Sequence, residues 1–174
     1  MLCKVIVYLE PILNFEHLKS RSLDINFKQF DSFEELPKSH QKLWNEALLA
    51  KKSSYSPYSK FTVGCAIELE DGTYIHGTNQ ENAAFPAGLC AERTAMYRSG
   101  IEAPHKKFVR MAITATKANE DILQSAPPCG GCRQVMLEFE KRHQQKFEVL
   151  FTDSEGNYIL MESPNDLFPF SFVF

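Results

Sequence analysis

Cys90, Glu92 and Arg93 bring a thiol, a carboxylate and a guanidinium into four consecutive positions of FPAGLCAERTA (85–95), just after a Pro-Ala-Gly bend. Cys129 and Cys132 form a second group in PPCGGCRQV. Three residues apart on the first turn of a helix, these two thiolates can reach one ion. Both groups stand where the flanking residues predict a helix start, and the partial positive charge of a helix N-terminus stabilises thiolates. Soft sulfur donors in a tetrahedral array suit zinc. A purely structural zinc site closes with four protein ligands, and a fourth is hard to find here. Cys65 lies mid-strand in a run of core residues, Cys3 falls in an unassigned N-terminal stretch, and none of the five histidines adjoins either group. Three protein ligands leave one position for water, as in catalytic zinc sites.

Glu92 stands two residues from Cys90, on the opposite side of a regular helix. Both address one ion only if the helix presents its end rather than its side. In that arrangement the carboxylate can carry protons; the alternative is a first-turn glutamate that merely complements the helix dipole. Arg93, three residues beyond Cys90, is within reach of the sulfurs. Three thiolates give a zinc site net negative charge, and a guanidinium donating to them would restore some Lewis acidity. The alternative is a surface arginine.

The elements that must position these groups follow from hydrophobic periodicity. Leu43, Trp44, Ala47 and Leu48 recur at helical spacing within residues 36–49, with Pro37 in a first-turn position. FTVGCAIELE and TYIHGTNQ flank Asp71-Gly72 as a hairpin. A helix is expected over 90–99, ending near Gly100, then a strand over 108–116 and a helix from Cys129 to about Arg142. KFEVLFTD and NYILME bracket a second hairpin. INFKQF (25–30) alternates as a short edge strand, and KVIVYL near the N-terminus reads as a possible strand. This order favours a mixed sheet with helices on its faces.

The chain has 174 residues, 44% hydrophobic and 24% charged, with a net charge of −3. That suits one domain with a core and provides no basic field for nucleic acid or an anionic membrane. No apolar run reaches the length of a membrane span. MLCKVIVYLE lacks a secretory leader pattern, and an odd number of cysteines with one Cys-x-x-Cys does not describe a disulfide framework. A cytoplasmic protein is expected.

Cys-Ala-Glu at 90–92, followed by Pro-Cys-Gly-Gly-Cys-Arg-Gln at 128–134, resembles the zinc-dependent cytidine deaminases in their small, all-cysteine, homotetrameric branch. The resemblance spans about residues 38–174 and includes YSPYSKFTVG (55–64) and TNQENAAFPAGLCAERTA (78–95). It implies an α/β fold, a three-layer α/β/α sandwich on a mixed five-stranded sheet, over residues 26–174. Residues 1–25 form an extension without an assigned role. It implies one Zn²⁺ per chain on Cys90, Cys129 and Cys132, with Glu92 as the proton carrier and Arg93 beside the sulfurs. Asn79 and Glu81 would hold the ribose; residues two apart on an extended segment face the same side. Phe61 would pack near the base, or else be ordinary core. The backbones of Ala91 and Pro127 would contact the pyrimidine.

The implied reaction is hydrolysis of the C4 amidine of cytidine and 2′-deoxycytidine to uridine and 2′-deoxyuridine, releasing ammonia, a step of pyrimidine salvage. A carboxylate near the sugar, without a Gly-rich phosphate loop, favours nucleosides over nucleotides. The alternative is a deaminase of another aminated nucleoside such as blasticidin S. Phe168, Phe170, Phe172 and Phe174 recur at period two. Phe172 matches a family phenylalanine that crosses into the neighbouring subunit's site, so a homotetramer is expected; the alternative is an edge strand on its own core. Phe85 departs from the tyrosine common at its position.

Overall fold

A computed structural model describes residues 22–172 of the chain; KVIVYL, Cys3 and Phe174 lie outside the described residues. The strands are β1 (Lys28–Phe30), β2 (Phe61–Leu69), β3 (Tyr74–Thr78), β4 (Phe108–Lys117), β5 (Glu148–Thr152) and β6 (Tyr158–Met161). The helices are α1 (Lys38–Lys51), α2 (Ala91–Glu102) and α3 (Gly130–His143). One sheet has the order β1-β6-β5-β4-β2-β3, with only β4 and β5 parallel.

Period-two alternation along the central strands divides the core into the two outer layers of a three-layer sandwich. Ala66, Ala112 and Leu150 join Leu43, Trp44 and Ala47 of α1. Their neighbours Cys65, Ile67, Met111, Ile113, Val149 and Phe151 join α2 and α3 through Ala95, Met96, Met136 and Phe139. The two hairpins turn at Gly72 (φ 81°) and Gly156 (φ 89°), where a left-handed backbone favours glycine.

Two expectations need correction. Among the described residues the sheet has six strands rather than five, because residues 28–30 of the predicted edge segment pair with β6, Lys28 opposite Leu160 and Phe30 opposite Tyr158. That pairing satisfies an edge that β6 would otherwise leave open. Second, α2 does not end near Gly100 but continues to Glu102. Gly100 is not left-handed; it faces Phe139 and Arg142 of α3, where an added Cβ would sit 3.7 Å from each. The alternative reading of the phenylalanine-rich tail as an edge strand does not hold over its described residues, 168–172. Pro164–Leu167 form a 3-10 turn, and Phe170 beyond it has φ 58°. No helix among the described residues is long and apolar enough to cross a membrane.

Candidate active site

Two helix ends build the site. Cys90 is the N-cap of α2 and Cys129 the N-cap of α3, both with extended backbone and neither side chain engaged as a cap. The close approach of α2 depends on Gly77 in β3: a Cβ there would overlap the Ala91 carbonyl and the Ala95 backbone. Glycine therefore lets the first turn of α2 rest directly on the sheet.

Cys90 Sγ lies 3.8 Å from Cys129 Sγ, Cys129 Sγ lies 3.4 Å from Cys132 Sγ, and all three lie within 4.8 Å of one another. Zn–S bonds of about 2.3 Å at tetrahedral angles put sulfurs about 3.8 Å apart, so the spacing fits zinc. The electrostatics fit as well. Hydrogen bonding from the Cys132 thiol, with Arg93 and Cys129 assisting against desolvation, draws Cys90 down to about 5. Donating to Cys90 and being buried, Cys132 is pushed far up. Three sulfurs this close do not ionise together without a cation among them.

Glu92, on the first turn of α2, is only 4% exposed yet borders the cleft. Burial, reinforced by the charge of Cys90, pushes its carboxyl up to about 7. A carboxyl poised near neutrality can both accept and return a proton. Arg93 Nη2 lies 3.9 Å from Cys90 Sγ and 3.5 Å from Gly88 O, while its buried Nε has no partner. The guanidinium faces the sulfurs rather than solvent.

These groups open onto a cleft of about 1140 Å³ that also reaches Phe61, Asn79, Glu81 and Pro127. Asn79 Oδ1 accepts from Ser54 Oγ at 2.5 Å and from Val63 N at 2.9 Å, and its Nδ2 donates to Phe61 O at 2.8 Å. One Nδ2 hydrogen is left over. Glu81 Oε2 accepts from the amides of Tyr58 and Ser59 at 2.9 and 3.2 Å. Hydrogen bonds led by Ser59 hold that carboxyl below its ordinary value, so it is charged.

A family model for the cytidine and deoxycytidylate deaminase zinc-binding region matches residues 37–145. The chain belongs to this family. A curated cytidine deaminase of Halalkalibacterium halodurans is 43% identical over 98 residues, 56% of this chain and 70% of that protein. One from Sporosarcina psychrophila is 42% identical over 99 residues, 57% of this chain and 68% of that protein. The crystal structure of cytidine deaminase from Burkholderia pseudomallei superposes with a TM-score of 0.64 at 36% identity, covering 76% of this chain and 98% of that one. The deaminase zinc-binding region and the three placed sulfurs make Zn²⁺ the cofactor of this chain.

The structure thus gathers Cys90, Glu92, Arg93, Cys129, Phe61, Asn79, Glu81 and Pro127 at one cleft, with Cys132 buried beneath it. Ala91 is fully buried at the start of α2 and is not among the residues that line the cleft. Phe172 is not among the cleft residues of its own chain. Sequence reasoning missed Ser54, which locks Asn79, and the amides of Tyr58 and Ser59, which hold Glu81. All three lie in SYSPYSKF (54–61), and no residue-type signal marks a backbone amide as a partner. It also missed Val63 and Ile113, apolar walls of the cleft whose alternation in strands marks them only as core.

Proposed function

We propose that this deaminase hydrolyses cytidine and 2′-deoxycytidine to uridine and 2′-deoxyuridine, releasing ammonia, with Glu92 as the proton carrier. The observation that carries this reading is a buried carboxyl on the first turn of α2, bordering the cleft beside three sulfurs spaced for zinc. Cys90, Cys129 and Cys132 would hold Zn²⁺, which when bound would supply Lewis acidity for activating water near neutral pH. Glu92 takes a proton from the attacking water, returns it to N3 of the cytosine, and carries a second proton to the departing C4 amine. Water and cytidine in, uridine and ammonia out, the atoms balance.

Arg93, facing Cys90, offsets thiolate charge and so favours the Lewis acid. Asn79 offers its remaining N–H to the ribose, Glu81 accepts from a sugar hydroxyl, Phe61 packs against the pyrimidine, and the backbones of Ala91 and Pro127 meet its polar edge. Apart from the cysteines, the charged residues lining the cleft are Glu81, Glu92 and Arg93. The ionised Glu81 repels a 5′-phosphate while Arg93 is committed to sulfur, which favours nucleosides over nucleotides. Phe172, outside the lining of its own cleft and 66% exposed, is assigned to the site of a neighbouring subunit in a homotetramer. A cytoplasmic location accords with this use of free thiolates.

The test is ammonia release from cytidine by zinc-replete protein, with Glu92→Gln alongside. We expect kcat to fall by about 10²–10⁴ in the variant while zinc stays at one per chain. Near-normal turnover by zinc-loaded Glu92→Gln removes Glu92 from this role. Failure of zinc-loaded wild-type protein to turn over cytidine overturns the substrate.

A further inference from the structure

The segment 163–172 is strapped along α3 by side chains of that helix. Ser163 Oγ donates to both carboxylate oxygens of Glu140 at 2.8 and 3.0 Å. Arg133 Nη1 donates to Leu167 O at 2.8 Å, and Gln134 Nε2 donates to Phe172 O at 2.9 Å. The same Arg133 donates through Nε to Pro128 O at 2.7 Å, in the residue preceding Cys129. One guanidinium therefore joins the entry to the metal-binding turn with the strap. Beyond the Leu167 contact, Phe170 has φ 58° and is fully exposed.

We infer that Gln134, assisted by Arg133, is a positioning residue for Phe172. It seats the tail backbone on the helix that carries Cys132, so that the Phe172 ring is presented to the cleft of a second copy of this chain. The inference rests on the assignment of Phe172 made above. Three features support it. The hydrogen bond is made to the Phe172 backbone carbonyl, and the residue is 66% exposed. The cleft of the same chain is lined without Phe172. The rim of that cleft carries exposed aromatic surface in Tyr58 (61%) and Phe85 (92%), which suits an incoming phenyl ring. Because the seat and the metal turn share one helix end, the tail is registered to the metal site by α3 rather than by the intervening loops.

The experiment compares Gln134→Glu, which keeps the side-chain length but cannot donate, with Phe172→Ala and the double variant, all zinc-loaded. We expect Gln134→Glu to raise KM for cytidine about threefold to tenfold, the consequence of one lost hydrogen bond. We expect kcat to stay within about twofold and zinc to remain at one per chain. The double variant should be no worse than Phe172→Ala alone, since the two residues act as one unit. Gln134→Met repeats the test without added charge should the glutamate fail to fold. A raised KM in Phe172→Ala with wild-type KM in both Gln134 variants overturns the inference and leaves the Phe172 assignment intact, and additive effects in the double variant overturn it likewise. Wild-type KM in Phe172→Ala overturns the assignment, and the inference falls with it.

Discussion

The two faces of the sheet are built from the same alternating strands and used in opposite ways. On one, α1 closes over small residues: Leu43 and Ala47 are fully buried, and Trp44 is 1% exposed, packing edge-on to Tyr158 at 4.9 Å between ring centroids. Ala66 and Ala112 leave the room that the indole occupies, so the layer is filled with apolar atoms and little else. On the other face α2 and α3 stop with their N-termini at the cleft, and a carboxyl and three thiols stand at the edge of an otherwise apolar layer. Burial on the first face only stabilises. On the second it also sets chemistry, because the low dielectric that raises Glu92 to about 7 also makes clustered sulfurs depend on a cation. The contrast recurs within one residue type. Cys65 is completely buried beside the site, desolvation pushes its thiol well up, and it behaves as a small hydrophobe, whereas Cys90 at a helix end is drawn down to about 5 by its hydrogen-bond donors.

Substitutions on the two faces should therefore separate activity from stability. Cys129→Ala has the largest expected effect: zinc falls well below one per chain by metal analysis and turnover drops more than about a hundredfold, because two sulfurs no longer hold the ion. Wild-type zinc content in this variant would dissolve the contrast. Trp44→Ala should cost about 3–5 kcal/mol by denaturant unfolding, the usual range for emptying a buried aromatic site, while folded protein keeps its zinc. A loss of zinc at full foldedness would show that the α1 face is not separate from the site.

A smaller effect sharpens the comparison at the first residue of the central strand β5. His40 Nε2 lies 3.0 Å from Glu148 Oε2, and that contact leads the causes holding the Glu148 carboxyl below its ordinary 4.5. A depressed folded value means the contribution is present above about pH 4.5 and lost as pH falls through the lower folded value. The urea midpoint should decline below about pH 4.5, and less steeply in Glu148→Gln; parallel curves would remove the pair from the account. Smallest of all, Cys65→Ala should cost about 1 kcal/mol or less with zinc and kcat unchanged. A loss of metal there would place Cys65 among the ligands after all.

Much of the site is legible in the residues. The Cys-x-x-Cys at a Pro-Pro helix entry and the Cys-Ala-Glu-Arg run after a bend mark three candidate metal ligands and a candidate proton carrier, because such spacings are governed by local helix geometry, and the structure brings the three sulfurs together. The requirement that Glu92 and Cys90 share a site through a helix end is met by Cys90 as the N-cap of α2. The hairpins at Gly72 and Gly156 are equally local, since left-handed turns demand glycine. Gly100 shows the limit: a glycine at a plausible helix end is instead a contact point between α2 and α3. The tail shows another, since alternating phenylalanines resemble a strand until the donors of Arg133 and Gln134 bend them onto α3.

The sequence by itself determined the chemistry. Thiols, a carboxylate and a guanidinium at helix-start spacing admit few uses, and alternation along the strands dictates which atoms face inward. Only the tertiary structure decided that Cys90 and Cys129, 39 residues apart, meet at 3.8 Å, that Gly77 allows it, and that Asn79 is fastened to Ser54 and Val63. These are long-range contacts. Their partners are chosen by how the layers pack, and no local spacing encodes the distance between two ends of a folded sheet.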